Sequence, residues 1–309
     1  MNSTVLRWLG ALLALAAACS RVDPPRVEAA PPAQRIVPAS ATAVDFASAL
    51  AEPARFAAIP EQALEYSALH DSGSPWSELP RFSAYLAEPV LALRPDLVIA
   101  DPWQAPETTQ RLREFGVRVL ALPETDSWES ARAALELVAR ELGSVKRGRE
   151  LVAELDERVR LLRERASRRA PLRAMAYSNF GGAGSTAGAG TTIHSMMELV
   201  GLRNLIAERG SRGHAGVAFE ELLALDPDVI VVSRPLKMAE GPAGDRGGAS
   251  EKLLYGEPSL AQLRAVRERR VVALPAWLFA TSSHELVRGA EALEVEIDAL
   301  ARRLAEVAK

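Results

Sequence analysis

Histidine and cysteine are frequent metal ligands, and this chain carries four histidines and one cysteine. His70, His194 and His284 have no second histidine or carboxylate at the spacing of a shared metal site, so we expect no metal ion held by the protein alone. His214 lies in a polar Arg-Gly-His segment and is a candidate for contact with a ligand or with a metal centre that the ligand brings. The alternative is a surface histidine that only forms hydrogen bonds.

Two tryptophans come shortly after apolar runs that are typical of buried parallel strands. Trp103 follows residues 97–100, and Trp277 follows residues 271–274. Open parallel sheets bind ligands beyond the carboxyl ends of their strands, so we expect the two indoles to face each other across a cleft and contact a large or flat ligand. Each could instead pack in a loop. The other candidate ligand contacts are Tyr66, Phe82, Phe180 and Arg234.

Motifs for catalysis or nucleotide binding are not found in the sequence. Residues 181–190 are rich in small residues, but they lack the Lys-Ser/Thr ending of a phosphate-binding loop and a clean GxGxxG run. Ser185 and Ser195 are not in a nucleophile elbow, and no acid/base pair emerges. We therefore expect a binding protein with no catalytic residue and no cofactor, rather than an enzyme.

The elements that position these residues repeat along the chain. Residues 88–99 are echoed by residues 220–231, where six of the twelve positions are identical. A second echo, in the same order, links residues 119–123 to residues 271–275. Apolar runs alternate with helical patterns around both echoes, which predicts parallel sheets. The chain therefore resembles two copies of one α/β unit with a ligand cleft between them.

The predicted organisation is an α/β fold with two Rossmann-like lobes. Residues 35–127 form the N-terminal lobe and residues 170–309 the C-terminal lobe. Residues 128–169 have a long helical pattern and are predicted to be a single long linker helix that joins the lobes and limits their motion.

The N-terminus has the pattern of an export signal. Residues 1–19 contain Arg7, a short apolar run and Cys19 at the position of a lipidated cysteine, so we predict a signal peptide with a lipobox. A plain signal-peptidase site beside an incidental cysteine is the alternative. Residues 20–34 hold several prolines and are predicted to be a tether. We expect a periplasmic or cell-surface protein that meets the membrane only through its anchor.

The charge balance argues against a nucleic-acid partner. The formal net charge is −3, aromatic residues make up 5% of the chain, and there is no dense basic run. Two glutamates, Glu88 and Glu220, open the two echoed helices. Each could simply complement a helix dipole, but one equivalent carboxylate on each lobe would also suit docking on a two-fold symmetric partner.

The sequence resembles the binding proteins of ABC importers for vitamin B12, iron–siderophores and haem. The resemblance rests on the residues 35–37 strand, on the two Leu-x-Pro-Asp echoes, and on the Gly201-Leu202-Arg203-Asn204 segment, and it spans nearly the whole mature chain. It implies two lobes joined by one long helix. It also implies that Glu88 and Glu220 form salt bridges with permease arginines and that Phe82, Trp103 and His214 lie near cleft residues of the vitamin B12 branch.

We therefore expect a monomeric binding protein that delivers a metal chelate to an ABC permease dimer and its ATPase. Cobalamin and an iron chelate, either a ferric siderophore or haem, both remain open. Two alternatives from other classes are a sensor or interaction module on the same fold and a periplasmic enzyme that uses the cleft.

Overall fold

The computed structural model describes residues 32–179, 184–235 and 248–307. The described chain forms one compact unit that starts at Pro32. The signal peptide, Cys19 and most of the predicted tether lie outside the described residues, as does Phe180.

The N-terminal lobe is built on a parallel sheet of strand order β1-β4-β5. A two-stranded parallel sheet, β2-β3, lies beside it. In chain order the elements are β1 (Ile36–Pro38), α1 (Ala41–Ser48), β2 (Ile59–Pro60), α2 (Ala63–Tyr66), β3 (Arg81–Phe82), α3 (Ala87–Ala92), β4 (Leu97–Ala100), α4 (Pro106–Glu114) and β5 (Arg118–Ala121).

The segment between the lobes is a pair of helices, α5 (Trp128–Glu141) and α6 (Val145–Ala166). The chain reverses at Gly143, whose φ of +69° is the left-handed conformation that glycine adopts without strain. The helices run antiparallel, because Trp128 Nε1 donates to Asp156 Oδ1 at 2.8 Å and Arg163 pairs with Glu129. The prediction of one helix over residues 128–169 is therefore wrong, and the long helix that joins the lobes is α6 alone.

The C-terminal lobe contains a four-stranded parallel sheet of order β11-β10-β6-β8 and an antiparallel pair, β7-β9. Its elements are β6 (Leu172–Tyr177), β7 (Gly184–Ala187), α7 (Thr192–Leu199), β8 (Leu202–Asn204), α8 (Leu205–Glu208), β9 (His214–Val217), α9 (Phe219–Leu225), β10 (Val229–Arg234), α10 (Gly248–Gly256), α11 (Arg264–Arg267), β11 (Val271–Pro275), α12 (Ala276–Phe279) and α13 (Leu286–Val307).

The two echoes of the sequence are equivalent strands at the same register. In the first lobe Val98 pairs with Val119, and in the second Ile230 pairs with Val271. The predicted α/β fold of two lobes with parallel sheets joined by a long helix is confirmed.

Helix α6 attaches the C-terminal lobe through both charge and apolar packing. Arg158 donates two hydrogen bonds to Glu291 of α13, at 2.8 and 2.6 Å. One buried cluster runs from Phe46 of α1 through Leu135 and Leu155 to Met196 and Leu293. A continuous core of this kind resists large rotations of one lobe against the other.

Candidate functional site

The carboxyl ends of the parallel strands place a different set of side chains on each lobe. In the N-terminal lobe β4 ends at Ala100. The next residue, Asp101, is buried, whereas Trp103 has 59% of its surface exposed. Burial raises the pKa of Asp101, and a hydrogen bond from Ser40 opposes that rise. Gln104 Nε2 donates to the carbonyl of Ala39 at 2.7 Å, which ties the loop to the end of β1. The loop therefore presents an exposed indole from a fixed backbone.

The C-terminal lobe has a cavity at the end of β6. Its volume is about 270 Å³, just below the roughly 300–1,000 Å³ that is typical of small-molecule pockets. Among the described residues hydroxyl, apolar and imidazole groups line it, and these offer hydrogen bonds without a permanently charged side chain. Its lining includes Ser178, Ser185, Thr186, Thr192, His214 and Phe279.

Strands β7 and β9 form one wall of this cavity, and glycine makes their close approach possible. A Cβ on Gly188 would lie 2.2 Å from the carbonyl oxygen of Ser211, so a larger residue would push the two segments apart. Thr186 Oγ1 donates to the carbonyl of Ala176 at 2.7 Å and joins this wall to β6. Gly188 therefore serves the close packing of the two backbone segments.

His214 is the predicted site residue that lies in this cavity. It is the first residue of β9, is exposed, and sits opposite Ala187 in the strand pair. Arg234 lies half-buried at the end of β10, and Tyr66 ends α2 with 44% of its surface exposed. These positions leave the three side chains accessible to solvent at least in part.

The expectation that Trp277 is open to a ligand opposite Trp103 is wrong. The side chain of Trp277 is 3% exposed and contacts the side chains of His70 and Arg288. The ring of His70 lies 4.6 Å from its centroid and the guanidinium of Arg288 lies 5.0 Å from it. Since His70 belongs to the N-terminal lobe, Trp277 is part of the contact between the lobes.

Phe82 is also a packing residue. It is 9% exposed and lies in a core cluster with Val37, Val98 and Leu112, so little of its ring is available to a ligand. Phe180 lies outside the described residues, and its predicted role stays a prediction.

Glu88 and Glu220 occupy equivalent exposed positions in the first turns of α3 and α9. Within the described part of the chain neither forms an ion pair, whereas the neighbouring Glu221 pairs with Arg209 at 3.1 Å. The last carbonyls of α3 and α9 accept hydrogen bonds from Arg35 and Arg173, which lie at the start of the sheets. The first turns of these helices, with Glu88 and Glu220, are therefore at the opposite helix ends, nearer the edge where the strands end.

The other histidines each lie near one carboxylate; the prediction from the sequence was that they have no partner at the spacing of a shared metal site. His194 Nε2 lies 3.4 Å from Glu198, His284 Nε2 lies 3.7 Å from Glu285, and His70 Nδ1 lies 3.9 Å from Asp71. Across residues 32–179, 184–235 and 248–307, no three His, Cys, Asp or Glu side chains are grouped as metal ligands would be.

Sequence reasoning missed part of the cavity and the buried contact between the lobes. Phe279 and Thr192 line the cavity from within helices α12 and α7, whereas the sequence-based search considered the residues directly after each strand. Asp45, inside α1, is 2% exposed. The sequence signal that could have identified it is a single carboxylate among the apolar residues of a helical pattern.

The fold and the site define a two-lobed α/β binding protein, with open strand ends on both lobes and a small polar cavity on one. Residues 72–278 match the family described as "Periplasmic binding protein", which is more than half of the chain. The chain belongs to this family, and the resemblance inferred from the sequence is confirmed. The family is one of transport binding proteins.

Individual relatives are similar at a lower level. The curated cobalamin-binding protein of Halobacterium salinarum is 26% identical over 57% of this chain, and the match spans 45% of that protein's length. The apo heme-binding protein RhuT of Roseiflexus sp. RS-1 is 23% identical with a TM-score of 0.73, covering 87% of this chain and 99% of its own. The heme-binding protein BhuT, in complex with two hemes, is 26% identical with a TM-score of 0.71, covering 87% of this chain and 100% of its own.

No helix among the described residues is both long enough and apolar enough to cross a membrane.

Proposed function

We propose that the protein captures a metal chelate, a haem or a corrinoid, and presents it to the permease of an ABC importer. Two observations carry this proposal: Trp103 is exposed beyond the end of β4 in one lobe, and the other lobe has a cavity lined by His214 at the end of β6. A flat macrocycle offers a large face to an indole, and its edge groups or its metal offer partners to hydroxyl and imidazole groups.

Cavity size supports a ligand that is only partly enclosed by the C-terminal lobe. A volume of about 270 Å³ is small for a tetrapyrrole, so one end of the ligand would occupy the cavity and the rest would lie against the N-terminal lobe. The named ligands of the cobalamin-binding and heme-binding relatives favour the same class of chelate. A ferric siderophore is the competing cargo.

The partner side of the proposal rests on Glu88 and Glu220. Two exposed carboxylates without an ion pair in the described chain suit a pair of arginines on a two-fold symmetric permease. We further propose that the protein acts as an exported monomer anchored through a lipid on Cys19. Loss of membrane association in Cys19→Ala, measured by fractionation, tests the anchor.

A titration of the mature protein tests the cargo. Cyanocobalamin, hemin and ferrichrome are added separately while tryptophan fluorescence is followed, with free tryptophan as the control for inner-filter absorption. We expect hemin or cyanocobalamin to bind with a Kd below about 10 μM, a free energy of roughly −7 kcal/mol. If only ferrichrome binds, the cargo is a siderophore and not a haem or corrinoid. If none of the three ligands binds, the proposal is contradicted.

A further inference from the structure

A buried hydrogen bond joins the two lobes at a single carboxyl group. Asp45 of α1 is 2% exposed, and its Oδ2 lies 2.8 Å from Oγ of Ser283, which is fully buried in the segment between α12 and α13. The other oxygen, Oδ1, accepts the backbone N–H of Ala68 at 2.8 Å. Asp45 therefore holds parts of both lobes at once.

The hydrogen bonds continue from Asp45 into the cavity wall. Ser283 Oγ lies 2.9 Å from Oγ1 of Thr281. The carbonyl of Thr281 accepts a hydrogen bond from Oγ1 of Thr192 at 2.6 Å. Thr192 and Ser282 both line the cavity. A series of hydrogen bonds thus links Asp45 of the N-terminal lobe to this cavity wall.

The charges around Asp45 do not compensate it. Within the described residues no arginine or lysine forms an ion pair with Asp45, and burial raises its pKa to about 8. That value already includes the lowering effects of the Ala68 N–H, the Ser283 hydroxyl and Arg288 and a smaller rise from Glu285. Other titratable groups near Asp45 are His284, which stacks on Phe46 and is affected by the charge of Arg158, and His70 and Asp71, which follow Ala68. Helix α5, which also packs against α1, carries Glu129, Arg132, Glu136, Arg140 and Glu141.

We propose that Asp45 is a positioning residue for the candidate ligand site, and that its neutral carboxylic acid form holds the 281–284 segment and the cavity wall against the N-terminal lobe. The proposal concerns the geometry of the free protein, so it stands or falls separately from the identity of the ligand.

Burial without an ion-paired cation explains why the neutral form is the holding form. In the structure the hydroxyl of Ser283 is placed as the donor to Oδ2 of Asp45; with a neutral Asp45 the acid donates its O–H to Ser283 instead, and Ser283 donates in turn to Thr281. When the acid ionises, the hydroxyls must reverse direction, and a negative charge is left buried without a cation, which is unfavourable unless water enters. Asparagine at position 45 reproduces the neutral pattern, because its carbonyl accepts from Ala68 and its amide donates to Ser283.

The test follows the amide of Ala68 by hydrogen exchange at pH 7 and pH 9, corrected for the intrinsic exchange rate, together with the thermal midpoint. In the wild type we expect exchange at Ala68 and around residue 283 to accelerate about tenfold at pH 9, since one pH unit above its pKa the acid is about ten to one ionised. Asp45→Asn is expected to stay protected at both pH values, and Asp45→Ala to be unprotected at both.

The matched control is Asp101→Asn, which removes another buried carboxyl that contacts Ser40 of its own lobe. It should leave the pH response at residue 283 unchanged. Equal responses of wild type and Asp45→Asn, or a ¹³C titration of the Asp45 carboxyl near pH 4, would overturn the proposal. If Asp45→Ala does not fold, the comparison of wild type with Asp45→Asn decides alone.

Discussion

The two lobes share one building unit and differ in what they attach to it. In the N-terminal lobe Arg35 donates to the carbonyls of Leu93 and Arg94 at the end of α3, and Asp96 accepts the N–H of Arg35 at 3.0 Å. In the C-terminal lobe Arg173 caps α9 in the same way, and Asp228 accepts its N–H at 2.9 Å. In each lobe the Leu-x-Pro-Asp segment thus joins the end of a helix to the start of the first strand through hydrogen bonds with one arginine (the Arg–Asp junction).

Beyond the strand ends the resemblance stops. The N-terminal lobe carries an exposed Trp103 on a loop, whereas the C-terminal lobe adds β7, β9 and a cavity. The repeated unit supplies the scaffold, and the unshared segments supply the site. The following predictions test this division, from the largest expected effect to the smallest.

Reversing the charge at the equivalent outer positions should have the largest effect. In Glu88→Lys/Glu220→Lys we expect ligand uptake by cells to be abolished while affinity for the ligand in solution is unchanged, because both side chains are exposed and lie outside the cavity. Uptake of hemin or cyanocobalamin and an in vitro titration measure the two properties. Glu221→Lys is the control, and a loss of solution affinity in the double variant would refute the docking role.

Acidification should weaken the junction between the lobes. Burial, with the nearby charge of Arg158, lowers the pKa of His284 to about 4. The unfolded chain therefore binds more protons than the folded one between about pH 6.5 and pH 4, so His284 lowers stability as pH falls, by up to about 3 kcal/mol. The free energy of unfolding, measured with urea at several pH values in this range, should fall less steeply with decreasing pH in His284→Gln than in the wild type. The same dependence on pH in both proteins would be evidence that His284 is not buried as described.

Adding a methyl group at a glycine should distinguish the cavity wall from its surroundings. We expect Gly188→Ala to lose about 2 kcal/mol of unfolding free energy, because its Cβ would collide with the carbonyl of Ser211. Gly216→Ala, on the partner strand, meets only an ordinary contact of 3.9 Å and should lose much less. Equal losses, measured by urea unfolding, would mean that close approach at Gly188 does not shape the wall.

The Arg–Asp junctions of the two lobes should differ modestly in their contribution to the free energy of unfolding. Asp228 is half-buried and also pairs with Arg264 at 2.7 Å, while Asp96 is exposed. Removing a charged acceptor costs more where solvent cannot replace it, so Asp228→Ala should cost about 2 kcal/mol and Asp96→Ala about 1 kcal/mol. A larger loss for Asp96→Ala in urea unfolding would reverse this ranking.

Much of the scaffold was predictable because the repeat carries its own register. The echoes at residues 88–99 and 220–231 predicted equivalent strands, and both strands pair as expected. The reversal at Gly143 was not predictable, since a single glycine in a helical pattern is compatible with either a continuous helix or a helix end.

The site was predictable only in part, because strand ends locate an edge without fixing which side chains remain open. Trp103 is exposed, but Trp277 is buried by His70, a contact that depends on how the lobes pack. The only indication in the sequence that Asp45 matters is that it is a carboxylate in an otherwise apolar helix. Its partner Ser283 is far away in sequence, and no local pattern links the two.

The most direct test of the central claim, that the ligand contacts both lobes, is an absorption titration with hemin and with cyanocobalamin. Wild type is compared with Trp103→Ala, with Ser178→Leu, which partly fills the cavity, and with Phe115→Ala, a control at a side chain that is 71% exposed and away from the strand ends. We predict that the first two variants each lose about tenfold in affinity, roughly 1.4 kcal/mol, and that the control loses none. Unchanged affinity in either Trp103→Ala or Ser178→Leu would contradict a site shared between the lobes.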